Sequence, residues 1–209
     1  MSSTISKVLE GYMDYTLEHE KRPLSVYKFC KTYKIKEGEF YKSFANLSQV
    51  EETFWKQLIS SSFATALKHC TDNADSSEKL LNFYYVLLEN MNLNRSFILF
   101  VIEGKEKLMK SLSIARNPLL EVFRALNSTF KPLEIISDDL STKVNDETLY
   151  LQFIAIVKFW TNDSSLDKEK TEALVEKSIR LLNDVNQSLP IDSFMDLGKF
   201  ILGEIKSFR

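Results

Sequence analysis

Residues 25–44 read SVYKFCKTYKIKEGEFYKSF and contain two short helical patterns joined by a tight connection. Ser25 is well placed as the N-cap of the first helix. The side chains predicted to face the interior are Val26, Phe29, Ile35, Phe40 and Phe44. This order of elements is typical of a helix-turn-helix, in which the first helix braces the second and the second lies in the major groove of DNA.

The composition around this stretch favours helices. Only 5 glycines and 4 prolines occur in 209 residues, so turn signals are too few for an all-β chain. The formal net charge is -2, which excludes a globally basic nucleic-acid coat. The charge is nevertheless asymmetric, because residues 21–42 hold seven basic side chains against two acidic ones.

Helical periodicity organises the rest of the chain. A leading helix is predicted over 4–20 and a long connecting helix over 48–69, before a polar linker at 71–77. The apolar run in 95–103 is predicted to be a buried helix. Further predictions are a helix over 105–130 that kinks or restarts at Pro118, a loop over 137–143, and three helices whose apolar stripes lie in 149–160, 174–185 and 194–208.

Several classes of protein are disfavoured. Cys30 and Cys70 lack CxxC partners, so buried free thiols are expected rather than a disulfide or a zinc site. Neither histidine follows a glutamate by three positions, so no di-iron ligand set is present. Phosphate loops and nucleophile motifs are missing as well. We therefore expect a cytoplasmic protein that is not an enzyme, has no metal or cofactor, and does not contact a membrane.

Residues 5–60 resemble the DNA-binding part of the tetracycline-repressor (TetR) family. In that family the motif ends in a glycine, a small polar residue, an aromatic pair and a later phenylalanine. The corresponding positions here are Gly38, Glu39, Phe40, Tyr41 and Phe44, with Ser25, Val26, Phe29, Cys30 and Ile35 at the preceding family positions. A looser resemblance follows in KFWTNDSS, residues 158–165, and the helix that contains Lys170 and Thr171.

The departures from the family pattern lie mostly on the surface that would face DNA. Lys34 stands where the family has a turn glycine, which costs about 1 kcal/mol at positive φ. Glu37 and Glu39 favour the helix through its dipole but would face phosphates. Either carboxylate could instead accept from a cytosine amino group. Leu47 replaces a lysine that commonly contacts phosphate.

The resemblance implies an all-α fold with a three-helix DNA-binding domain over 1–47, a connecting helix over 48–71, and a larger ligand-binding and dimerisation domain over 72–209. It implies a homodimeric, ligand-responsive regulator of palindromic operator DNA, with repression as the expected mode of action. The residues assigned to double-stranded DNA are Ser25, Lys28, Lys34, Lys36, Glu37, Glu39, Tyr41 and Lys42. The dimer interface is expected near 148–160 and 167–185, because their apolar stripes would be hard to cover in one protomer.

The resemblance also implies a pocket for a small apolar or aromatic ligand. Its candidate lining residues are His69, Tyr84, Tyr85, Phe97, Phe100, Phe123, Phe153 and Trp160, although core packing explains the same aromatics and helix capping explains His69. The alternative function is a dimeric small-molecule-binding or interaction protein that keeps the fold but has lost DNA binding. Glu37, Glu39 and Leu47 motivate this alternative.

Overall fold

The computed structural model describes residues 3–71, 73–127 and 138–188. The fold is all-α, as predicted, and no strand occurs in these ranges. The helices are α1 Ser3–His19, α2 Val26–Thr32, α3 Glu37–Ser43, α4 Ser48–His69, α5 Ser76–Leu93, α6 Arg95–Ile102, α7 Lys105–Asn127, α8 Asp138–Asn162 and α9 Glu169–Ser188, with a 3-10 turn at Leu166–Lys168 before α9.

Two compact units divide the chain. The first contains Met1–Thr65 and Val86–Pro118, and the second contains Ala66–Tyr85 and Leu119–Arg209. In the first unit, α1 packs against α3 and α6, and α2 packs against α3. In the second unit, α8 packs against α9.

Aromatic side chains form the core of the first unit. Phe97 on α6 meets Tyr12 on α1 edge-on, with ring centroids 6.2 Å apart. Phe97 also meets Phe54 on α4 at 4.9 Å. Tyr12 in turn meets Phe29 on α2 at 6.3 Å, and Phe29 meets Phe40 on α3 at 6.2 Å. Edge-to-face pairs at these separations stabilise a core beyond simple burial, so the rings connect all five helices.

The α6 segment illustrates why a continuous apolar run becomes a helix here. Its four inward side chains, Phe97, Ile98, Val101 and Ile102, are buried. An isolated strand would leave its backbone groups unpaired among helices, whereas a helix satisfies them internally. The prediction of a buried helix over 95–103 is therefore confirmed.

A buried carboxylate, Asp163, organises the turn that joins α8 to α9 in the second unit. The Asp163 carboxylate accepts from the backbone nitrogens of Ser165 (2.8 Å) and Thr171 (2.9 Å), and from both of their hydroxyl groups at 2.6 Å. Burial alone would raise the pKa of Asp163, but these hydrogen bonds outweigh it and hold the pKa well below its usual value. Asp163 thus ends one helix and caps the start of the next.

Two predicted breaks are corrected by the structure. The predicted loop over 137–143 is wrong from Asp138 onward, because α8 begins there. Helix α7 does not restart at Pro118 but continues through it to Asn127. A proline costs one backbone hydrogen bond, and such a loss is tolerated in a long helix held by its buried face. The predicted helix over 194–208 lies outside the described residues.

The argument for a dimer from the apolar stripe of α8 also needs correction. Five residues of that stripe are already buried within the chain: Leu149, Phe153, Ile156, Val157 and Trp160. On α9, Val175 and Ile179 are buried too. The α8 stripe is therefore covered within one protomer, whereas on α9, which packs against α8, Leu181 of the predicted 174–185 stripe stays exposed. Among the described side chains of this pair and its connecting turn, the large apolar ones that remain exposed are Phe159, Leu166 and Leu181.

Candidate nucleic-acid interface

Helix α2 begins with a side-chain cap. Ser25 has extended backbone angles (φ -156°, ψ 154°), and its Oγ accepts from the backbone nitrogen of Lys28 at 3.3 Å. A serine at this position satisfies one of the unpaired amide groups of the first turn and stabilises a helix by about 1 kcal/mol. The N-cap role predicted for Ser25 is confirmed.

The turn after α2 requires a left-handed residue. Lys34 has φ 52°, and Ile35 donates its backbone N–H to the Cys30 carbonyl at 2.9 Å. A non-glycine residue in this region is strained by about 1 kcal/mol. The positive φ expected at Lys34 is therefore present without a glycine to relieve it. The Lys7 ammonium donates to the Lys34 carbonyl at 3.3 Å, which ties the turn to α1.

The inward face of the motif is largely as predicted. Phe29, Phe40 and Phe44 are buried, whereas Val26 and Ile35 are only half-buried. Phe40 contacts Phe44 with ring centroids 5.4 Å apart. Phe40 also contacts Phe29 of α2, with ring centroids 6.2 Å apart, and this contact holds the buried face of α3 against α2.

A glycine lets α1 brace the end of α2. A Cβ placed on Gly11 would lie 2.8 Å from Cδ1 and 2.9 Å from Cγ of Tyr33. Real Cβ atoms do not approach ring carbons so closely, so no larger side chain fits without moving the ring. The close approach explains how Tyr33 reaches across α1.

The outward face of the motif carries most of the residues assigned to DNA. Six of them have exposed side chains: Lys28, Lys34, Lys36, Glu37, Tyr41 and Lys42. Tyr41 is 53% exposed, which leaves its hydroxyl free to approach a phosphate. Lys36 is the N-cap of α3, and because an ammonium can only donate, it leaves the amide groups of the first turn without a side-chain cap.

Glu39 and Lys42 form an ion pair along α3. The Lys42 ammonium lies 2.7 Å from Glu39 Oε1, and this hydrogen bond and its charge lower the pKa of the Glu39 carboxyl. Helical positions three apart face each other, so the spacing could have predicted the pair. Sequence reasoning treated the two residues separately and missed that one partly neutralises the other.

Two further features of the motif were missed. Leu24 and Tyr27, on either side of the Ser25 cap, are 74% and 60% exposed. The only sequence signal for them is their position beside a helix start, where a side chain turns away from the core. Large apolar groups at the rim of the motif are placed to contact sugar or base methyl groups if DNA approaches α2.

The largest feature missed from sequence is a buried polar cluster of Tyr12, Arg22 and Glu51. Glu51 is only 3% exposed, and its Oε1 accepts from the Tyr12 hydroxyl and from Arg22 Nε, each at 2.6 Å. Arg22 also donates from a terminal nitrogen to Oε2 at 3.2 Å. Burial, followed by the hydrogen bond to Glu51, raises the pKa of Tyr12. The sequence showed Glu51 only as an acid near a helix start.

The candidate ligand residues are distributed over both units. Phe97 and Phe100 lie on α6 in the first unit, where Phe97 is buried and Phe100 half-buried. His69 is exposed in the last turn of α4, where a cation complements the helix dipole. The remaining candidates belong to the second unit: Tyr84, Tyr85, Phe123, Phe153 and Trp160.

Polar groups accompany the aromatics of the second unit. The Tyr84 hydroxyl donates to Gln152 Oε1 at 3.3 Å, and Gln152 Nε2 donates to Ser178 Oγ at 2.7 Å. Tyr85 donates to Glu176 at 2.6 Å, and partial burial together with this hydrogen bond raises the pKa of Tyr85 to about 12. Phe123, Phe153 and Trp160 are buried. These side chains provide an apolar interior with a few polar groups.

Within the described ranges, no helix combines the length and the apolar character needed to cross a membrane. In the same ranges, no three His, Cys, Asp or Glu side chains are grouped so that they could hold a metal ion.

The capped α2, the left-handed turn and the outward face of α3 define a helix-turn-helix regulator of transcription. The model of the tetracyclin repressor-like C-terminal domain matches residues 79–201, more than half of the chain. The chain therefore belongs to the tetracycline-repressor family, as the sequence resemblance indicated.

A solved structure supports the fold. The fatty acid degradation regulator FadR from Bacillus halodurans is similar with a TM-score of 0.57 and 17% sequence identity, covering 87% of this chain and 95% of that chain. A protein with unknown function from Rhodococcus sp. RHA1 matches with a TM-score of 0.49 and 7% identity, over 86% of this chain and 95% of that one. No curated protein sequence is significantly similar to this chain.

Proposed function

We propose that this regulator is a homodimeric repressor that binds palindromic operator DNA and releases it in response to a small ligand. In this proposal residues 1–47 read DNA, 48–71 connect, and 72–209 bind the ligand and dimerise. Two helix-turn-helix modules related by two-fold symmetry would enter successive major grooves about 34 to 36 Å apart. The protein is proposed to act in the cytoplasm, without catalysis.

The observation that carries DNA binding is the positively charged outward face of a correctly built motif. Lys28, Lys34 and Lys36 are exposed around a capped α2 and the start of α3, and none has an ion pair in the described part of the chain. Each lysine that reaches a phosphate displaces a counterion, which strengthens binding at low salt. Tyr41 adds a hydroxyl donor on the same helix.

The dimer is supported by apolar side chains left exposed around α8 and α9. Phe159 is 42%, Leu166 77% and Leu181 62% exposed. A symmetric interface needs one self-complementary patch on each protomer, and paired helices supply it as a four-helix bundle. The proposed interface therefore uses these outward residues rather than the buried stripe.

Ligand binding is proposed for the interior of the second unit. The aromatics there would surround an apolar or aromatic molecule, and Tyr84 and Gln152 would supply polar contacts. A ligand can release DNA only if it binds one arrangement of the dimer more tightly than the other. A ligand that bound both arrangements equally tightly would leave the operator occupied.

The second candidate is a protein that keeps the fold and has lost DNA recognition. The Glu39–Lys42 ion pair favours it, because the pair removes one free cation from α3. The exposed Glu37 adds a negative charge at the start of the same helix. Such a protein would still dimerise and bind a small molecule.

The test is selection of genomic DNA fragments with the purified protein, in parallel with the variant Lys36→Glu/Lys42→Glu. The matched control is Lys56→Glu/Lys68→Glu, which changes two exposed lysines of α4 and leaves the motif intact. We expect enriched fragments with a palindromic sequence for the wild type and the control, and loss of enrichment for the motif variant. Absence of a palindrome for the wild type would reject the first candidate and favour the second.

A further inference from the structure

One buried carboxylate joins three parts of the first unit. Glu51 on α4 receives hydrogen bonds from Tyr12 on α1 and from Arg22 in the connection between α1 and α2. Tyr12 and Arg22 precede Glu51 by 39 and 29 positions in the sequence. Because Arg22 contacts both carboxylate oxygens, the pair has a defined orientation as well as a charge attraction.

Arg22 also reaches α6. Its guanidinium carbon lies 5.8 Å from the centroid of the Phe100 ring, within the range of a cation–π contact. Lys107 approaches the same ring at 5.0 Å. Arg22, which lies in the connection between α1 and α2, therefore contacts both the carboxylate of α4 and an aromatic ring of α6.

The same cluster sits against the chain of rings that leads to the recognition helix α3. Tyr12 is flanked edge-on by Phe97 of α6 and Phe29 of α2, and Phe29 contacts Phe40 of α3. The hydroxyl of Tyr12 is held by Glu51, so the ring cannot rotate freely between its neighbours. The position of α3 is thus linked through Tyr12 to α4 and α6 by contacts inside one compact unit.

We propose that Arg22, Glu51 and Tyr12 are positioning residues that hold the recognition helix α3 in one orientation relative to α6. The consequence for DNA affinity rests on the proposed function. A hydrophobic cluster of the same volume would stabilise the unit equally well, and replacing a complete buried ion pair by apolar residues is often neutral for stability. Fixed direction is what the charged cluster adds, because hydrogen bonds are directional and apolar contacts are not.

The test separates orientation from stability with a triple variant, Tyr12→Phe/Arg22→Met/Glu51→Met. It removes the whole cluster, leaves no orphaned polar atom, and keeps every aromatic ring. The matched control is Arg124→Met/Asp146→Met, which removes a similar arginine–carboxylate pair from the second unit, with a nitrogen–oxygen distance of 2.8 Å. Thermal unfolding of both variants establishes that they are folded at the working temperature.

Orientation is measured without DNA. Spin labels are attached at Ser43→Cys on α3 and Ser96→Cys on α6, both exposed positions, in a Cys70→Ser background in which Cys30 stays buried. Labelled chains are diluted with unlabelled protein, and the distance distribution is recorded by pulsed electron resonance. We expect a narrow distribution for the wild type and the control, and a broadened or shifted one for the triple variant.

DNA affinity is the second readout, measured on a fragment recovered in the genomic selection. We expect affinity to fall about tenfold in the triple variant and to stay unchanged in the control. An unchanged distance distribution in a folded triple variant overturns the proposal. If the triple variant does not fold, Arg22→Lys is measured instead, because it keeps the charge but loses the fork, and an unchanged distribution there overturns the proposal equally.

The two proposals fail in different ways. If no fragment is enriched by the wild type, DNA binding fails while the distance measurement still tests the positioning cluster. If fragments are enriched and the distribution is identical in all variants, DNA binding stands and the positioning role is rejected.

Discussion

The ammonium of Lys42 lies 2.7 Å from Glu39 Oε1 on the outward face of α3. The positive charge of Lys42 is therefore partly neutralised by Glu39 within the same helix. DNA binding would instead require a free positive charge on this face. Any phosphate that approaches Lys42 competes with Glu39. Under the proposed function, the pair therefore weakens the attraction of α3 for DNA.

Removing the carboxylate should strengthen binding to DNA of any sequence. In Glu39→Gln, Lys42 becomes available to a phosphate, so we expect severalfold tighter binding and a salt-dependence slope steeper by about one unit. Glu52→Gln, which neutralises an exposed acid on α4, is the control for net charge. Fluorescence anisotropy over a salt series measures both. Equal strengthening by the control would show that the Glu39–Lys42 pair has no special effect.

Glycine in place of Lys34 should stabilise the left-handed turn. Lys34 has φ 52°, so Lys34→Gly relieves backbone strain, although the added flexibility of the unfolded chain offsets part of the gain. We expect the free energy of unfolding to rise by up to about 1 kcal/mol. Lys31→Gly, inside α2, should lower it by about 1 kcal/mol. Urea unfolding of both variants checks the opposite signs.

The effect of Gly11→Ala on the unfolding free energy should change sign when Tyr33 is also replaced. In the wild type the new methyl group collides with the Tyr33 ring, and we expect a loss of about 1 to 3 kcal/mol in unfolding free energy. In a Tyr33→Ala background the collision is absent, and alanine should then stabilise α1 by up to about 1 kcal/mol. A double-mutant cycle by urea unfolding measures the coupling. A loss of the same size in both backgrounds would contradict the contact.

Asp163 should make stability depend on pH. Its pKa is lower in the folded protein than in the unfolded chain, so its contribution is complete above the unfolded value of about 4 and is lost as pH falls toward the folded value. Asp163→Asn lacks the charge and cannot accept from all four donors. We therefore expect wild type and variant to differ by a constant amount near neutrality and to converge below about pH 4. Urea midpoints between neutral and acid pH measure this, and a constant difference throughout would contradict it.

The proposed interface should be sensitive to charge. Leu181→Arg and Phe159→Arg place cations in an apolar patch, so we expect both to be monomeric at micromolar concentration by light scattering. Leu93→Arg changes another exposed leucine, at the end of α5, and it should remain dimeric. Dimers in all three variants would move the interface elsewhere.

Local signals accounted for much of the fold. The N-cap at Ser25, the buried phenylalanines 29, 40 and 44, and the helix over 95–102 all follow from residues within a turn or two of one another. The same reasoning failed over 138–143, where α8 begins earlier than its apolar residues indicate, and at Pro118 α7 does not restart, which was one of the two outcomes predicted there. In both places a long helix held by its buried face overrode a local breaking signal.

The candidate site was only partly predictable. The outward lysines could be named from their place in the motif, since a helix has one buried and one exposed face. The closing of Lys42 onto Glu39 was readable from spacing. The fit of Tyr33 against Gly11 was not, because the two residues belong to different helices whose packing no local pattern specifies.

Glu51 and Glu52 show the difference between what the sequence determines and what only the tertiary structure decides. The sequence places both near the N-terminal end of α4, where either would complement the helix dipole. In the folded chain Glu51 is 3% exposed and holds Tyr12 and Arg22, whereas Glu52 faces solvent. Secondary structure and the inward and outward faces follow from short-range periodicity. The polar cluster requires Tyr12 and Arg22 to reach Glu51, which follows them by 39 and 29 positions. Only the tertiary structure brings these side chains together.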